Sequence, residues 1–189
     1  MTKQDTSIPL DKQSRPMRSL VEIDLERISS PGSGLPERGI LTVFVSEDID
    51  KCQAKDKHCF KIVWQANSPA PPNMVLETKG VEGLGERVCH LELDGSVETP
   101  VEGCFLLGNE HPKLNEAKAI CAFSANGITY NQARARDRCY SHLVAQSPNW
   151  RLLLRLHKDS TDYLLLIVED DFVEEHFERA WLVRFKGNS

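Results

Sequence analysis

Along the chain the apolar positions fall into two recognisable periods. In SLVEIDL (19–25), Val21, Ile23 and Leu25 alternate with Glu22 and Asp24, the two-residue period of a strand with one buried face. ILTVFV (40–45) is apolar almost throughout and rich in β-branched residues, which predicts a strand covered on both faces. FKIVWQ (60–65) predicts another strand, after a charged loop that carries Cys52, His58 and Cys59. NSPAPPN (67–73) excludes a helix, because its three prolines remove donors and clash with a preceding turn.

The middle of the chain mixes both periods. MVLET, RVCHLELDG and GCFLLG read as short strands between glycine-containing turns, while LNEAKAICAF and NQARARDRCYSHLVAQ read as helices. In the second helix Ala133, Ala135, Cys139, His142 and Leu143 recur at near-helical spacing, with Arg134 and Arg138 on another face. WRLLLRLH (150–157) and DYLLLIVE (162–169) are predicted strands joined by the polar turn KDST, followed by a short helix and a last strand, AWLVRF (180–185). Trp64, Trp150 and Trp181 fall in strands and are expected in the core. The predicted fold class is α+β: a strand-rich mixed or antiparallel sheet or roll with two or three helices. Residues 1–18 are polar and aperiodic and read as a loose N-terminal arm, leaving 19–189 as one domain.

A hydrophobic share of 40% with 27% charged residues suits a single globular domain at 189 residues. No apolar run approaches the ~18 residues of a membrane span, and the start carries no secretory h-region. The expectation is therefore a cytoplasmic protein with no membrane partner, whose six cysteines are free thiols. A net charge of −5 argues against a nucleic-acid partner, which calls for a basic stripe, and favours a basic protein partner instead.

The chemistry is concentrated in IVEDDFVEEHFERAWLV (167–183). At about 100° per residue, Asp171, Glu174, Glu175 and Glu178 share one sector of a helix, opposite Phe172, Val173, His176 and Phe177. Asp171 and Glu174 also suit the positive end of the helix as caps. The acidic face is either a solvated flank or a partner surface, with Glu169 and Asp170 in support. Nothing near it resembles a calcium loop with its glycine.

Other constellations carry less. No C-x2-C or H-x3-H pair supplies a zinc site, although Cys139 and His142 could join residues 58 and 59. The chain is accordingly read as holding no metal and no cofactor and having no catalytic residue. Cys139 with His142 is the thiol and base pair of an alternative small-ligand or enzymatic reading. The glycines of GVEGLGER have the wrong spacing for a nucleotide loop.

Four pieces in order resemble the YwqG-like family of bacterial domains: residues 19–45, with the strand, linker and LP-x-x-G-x-L-x-F-F-type strand; CFKIVWQ (59–65); FLLGNEHP (105–112), similar to an LLGYP turn; and residues 149–183, similar to the closing W-x-LLLQ strand, hairpin and DL-x-x-x-x-F helix. The longer proline- and tryptophan-containing opening block of that family is missing, and its GD-x-G hairpin is reduced to KDSTDY. The resemblance implies a strand-rich α+β roll without established catalytic residues. It also implies a context, since some similar proteins are thought to be immunity partners of antibacterial toxins. The expected function is thus a binding protein that neutralises a basic toxin, such as a nuclease, through Glu169, Asp170, Asp171, Glu174, Glu175 and Glu178.

Overall fold

In the computed structural model, residues 8–28, 34–52, 54, 56–66, 103–106, 111–158 and 160–186 are described. The predicted strands MVLET and RVCHLELDG and the turn GVEGLGER lie outside them. The α+β class holds, with every described strand pairing antiparallel. Strands β1 (Arg18–Asp24), β2 (Ile40–Val45) and β3 (Phe60–Gln65) form a three-stranded sheet in the order β1-β2-β3. Strands β4 (Gly103–Leu106), β5 (Trp150–Lys158), β6 (Thr161–Val168) and β7 (Trp181–Lys186) form a four-stranded sheet in chain order.

The apolar runs are long because β6 is covered on both faces. Tyr163, Leu165 and Ile167 join Val21, Ile23, Leu41, Val43 and Phe60 of the other sheet in one buried cluster. Leu164 and Leu166 point the opposite way, into a second cluster with Leu114, Ala117, Cys121 and Ala122 of helix α2 (Leu114–Ala125). The layers are therefore sheet, sheet and helix. A register shift between Leu152 and Leu154 puts Leu153 and Leu154 into the same inter-sheet cluster, while Leu152 packs toward α2. That is the effect of a bulge, where one extra residue breaks strict alternation.

Five α-helices occur among the described residues rather than two or three: α1 (Leu25–Ile28), α2, α3 (Gln132–Arg136), α4 (Ser141–Gln146) and α5 (Glu169–Val173). One of the extra helices is α1, which follows directly on β1, and another arises because the predicted helix NQARARDRCYSHLVAQ is broken. Asp137 is extended (ψ 131°), and its carboxylate accepts the N–H of Cys139 at 2.9 Å, opening a new 3-10 turn over Arg138–Tyr140. Of its expected apolar face only Leu143 is buried.

Residues 8–17 do not form a free arm. Leu10 bridges Pro16, Met17 is buried, and Arg15 joins Asp11 to Asp48 on the main body. No helix among the described residues is long and apolar enough to cross a membrane.

Candidate functional site

The acidic segment departs from the single helix read in the sequence. Helix α5 stops at Val173, and Glu175 adopts a left-handed conformation (φ 59°). His176 N–H donates to Asp171 O at 2.8 Å and Glu175 N–H donates to Phe172 O at 3.1 Å, the paired bonds of a Schellman end. A 3-10 turn, Phe177–Arg179, then leads into β7. Asp171, Glu174, Glu175 and Glu178 consequently do not share one helical sector. Phe172 and Phe177 are buried as expected, whereas Val173 is 71% exposed.

The carboxylates divide into paired and unpaired. Glu169 receives Arg151 at 2.8 Å, and Asp171 receives Arg179 at 2.8 Å. His176 Nδ1 lies 3.2 Å from Glu174, and Arg179 lies 3.9 Å from Glu178. Asp170 and Glu175 are exposed and form no ion pair among the described residues. The arginines at 134, 136 and 138 do not serve these acids. Arg151 and Arg179 do, and no spacing rule links Arg151 to Glu169: the β5–β6 register brings them together.

Asp171 and Glu178 also line a groove of about 610 Å³. Its floor is apolar, with Phe60 and Ile62 from β3 and Trp150 and Trp181 from β5 and β7. The two indoles meet edge to face with centroids 5.3 Å apart. Trp150 is buried as expected, while Trp64 and Trp181 are only partly covered. Lys57 closes one side. Its Nζ donates to the carbonyls of Ala180 and Glu178 and lies 4.9 Å from the Phe60 ring centroid. Burial of the ammonium lowers its pKa to about 8, against the opposing pull of Glu178 and Asp171.

A second polar cluster had no motif to announce it. Asp162 lies opposite His157 in the β5–β6 ladder, with His157 Nδ1 3.0 Å from its carboxylate. His111 Nε2 approaches at 3.2 Å and Arg155 donates at 3.4 Å. Burial alone would raise the Asp162 pKa. Hydrogen bonds from both histidines and the nearby positive charge outweigh it and hold the carboxyl well below its usual range. The hairpin register brings His157 to Asp162, and His111, just ahead of α2, reaches the same carboxylate.

The cysteines correct the expectation of six free thiols. Cys52 and Cys59 are joined as a disulfide, with Cα atoms 6.3 Å apart across a sequence separation of 7. Cys121 is free and buried, and its burial pushes the thiol pKa up, which removes it as a nucleophile. Cys139 and His142 are both exposed, no hydrogen bond joins them, and neither lines the groove. Among the described residues the cysteine-histidine group the fold assembles is Cys52, His58 and Cys59.

Among the described residues the domain is two stacked antiparallel sheets backed by a helix, with a groove beside them. The chain belongs to the family described as "Domain of unknown function (DUF1963)", which matches residues 1–184. No curated protein matches the chain.

Proposed function

We propose that this is a binding protein that grips a cationic protein domain, in the manner of an immunity protein neutralising an antibacterial toxin. The observation that carries the reading is that an apolar groove lined by Ile62, Trp150 and Trp181 adjoins the carboxylate-rich segment 169–178: Asp171 and Glu178 line the groove together with Lys57, Lys61 and Arg179, and the exposed Asp170 and Glu175 belong to the same segment. Buried aromatic contacts supply affinity at protein interfaces, and charge of one sign beside them supplies encounter rate and partner choice. Asp170 and Glu175, without internal partners among the described residues, are the acids free to meet a cation. Asp171 and Glu169 are already neutralised by Arg179 and Arg151, so their part is to shape the rim. The resemblance to YwqG-like proteins, with their proposed immunity partners, supplies the biological context, and the net charge of −5 suits a basic partner. No catalytic residue is required.

The test is rescue of growth. A basic protein is captured from the source cells and produced alone in a host, where it should arrest growth, and co-production of the wild-type chain should restore it. Two variants with exposed substitutions separate rim from groove: one carries Asp170→Asn, Glu174→Gln, Glu175→Gln and Glu178→Gln, and the other Ala125→Trp, which fills the groove from the end of α2. Both should lose rescue, and the first should also lose the salt dependence of binding. Full rescue by both variants would sink the reading.

A further inference from the structure

We propose that Cys52, His58 and Cys59, in the dithiol state, form a site for one soft divalent cation of the zinc class, and that their disulfide is the cation-free alternative of the same cluster. This inference is independent of the groove. The two sulfurs and a ring nitrogen of His58 all lie within 4.8 Å of one another. Tetrahedral zinc with metal–sulfur bonds near 2.3 Å needs its two sulfurs about 3.8 Å apart, so releasing the sulfur–sulfur bond lets the side chains spread without moving the 6.3 Å between Cα atoms. The backbone is already fixed: Cys59 N–H donates to Asp56 O at 2.8 Å, and Ser46 N–H donates to Cys59 O at 2.8 Å.

A second observation points to a ligand. The three residues open on a cavity of about 290 Å³ that Ser46 and Asp56 also line. Ser46 is 2% exposed, and its Oγ has no hydrogen-bond partner among the described residues. A buried hydroxyl left so costs free energy unless something in the cavity bonds to it. A water in the fourth coordination position would do so, completing the three-ligand, one-open arrangement of cysteine and histidine zinc sites. Two thiolates cancel the dication, so Lys12 and Lys51 on the cavity wall do not oppose binding. Cys59 is buried while His58 is exposed, which gives the ion both a fixed anchor and an entry path.

The chemistry balances. A dithiol reductant gives two electrons and two protons to the Cys52–Cys59 bond, which breaks into two thiols while the reductant closes to its own disulfide. Binding then releases the two thiol protons to solvent, and two sulfur–metal bonds and one nitrogen–metal bond form.

The full chain, reduced and freed of reductant without air, is titrated with Co²⁺ and then Zn²⁺. A sulfur-to-cobalt charge-transfer band at one equivalent, displaced by Zn²⁺, is expected. The oxidised protein and Cys52→Ser should lack the band, and Cys139→Ser should keep it. His58→Ala, an exposed change that leaves the fold alone, should weaken binding by at least about tenfold. Absence of the band in the reduced wild type, or its persistence in Cys52→Ser, would overturn the proposal.

Discussion

Gly39 illustrates how much one residue can hold. With φ at 114°, it precedes β2 at a point where a Cβ would sit 2.7 Å from Gln65 O and 2.8 Å from Trp64 Nε1. Gly39→Ala should therefore cost about 2–3 kcal/mol in urea unfolding, from backbone strain and from contact with a neighbouring strand that cannot give way. Gly127 also has a positive φ but nothing within 4 Å, so Gly127→Ala should cost only about 1 kcal/mol and serves as its control. Asp162 acts through charge instead. Because its folded pKa lies below the ordinary 3.8, its contribution is present above that value and is lost as pH falls toward the folded one. Asp162→Asn should lower stability by about 2 kcal/mol at neutral pH, and the loss of stability below about pH 4 should become shallower than in wild type.

Among the elements, α5 and its Schellman end decide what the acidic segment can do. Glu175 occupies the left-handed position that glycine favours, so Glu175→Gly should stabilise the chain by about 0.5–1 kcal/mol, read as a raised midpoint in thermal unfolding. The same position explains why the break was illegible: the stop signal in a sequence is a glycine, and here a glutamate takes its place. The division at Asp137 was hidden in the same way, since a capping aspartate inside a helical pattern reads as an exposed helix residue until its bond to Cys139 N is seen. The strands were legible, because the period of β1 and the unbroken apolar runs of β2 and β6 follow directly from one or two covered faces. Of the groove, Trp150 and Trp181 were recognisable only as core residues. Their meeting depends on β5 and β7 flanking β6, and strand order is not written in any local pattern.

For the whole molecule, the critical joint is the one between sheets. Phe177 is fully buried and packs edge to face on Trp64 of β3, with centroids 5.4 Å apart, and on Phe172 at 6.1 Å. It fastens the segment after α5 onto the three-stranded sheet. Phe177→Ala should destabilise the chain by about 3–5 kcal/mol, measured in chemical denaturation, and loosen the groove rim with it. The coverage of β6 on both faces has a consequence for time as well as for energy. Its central amides, from Leu164 to Leu166, are flanked by β5 and β7 and should exchange with deuterium only when the entire chain opens. Their exchange rate then reads the global unfolding free energy directly. A cation in the cysteine cluster or a partner in the groove should slow that clock by the factor 1 + [L]/Kd, although Leu164, Leu165 and Leu166 line neither site.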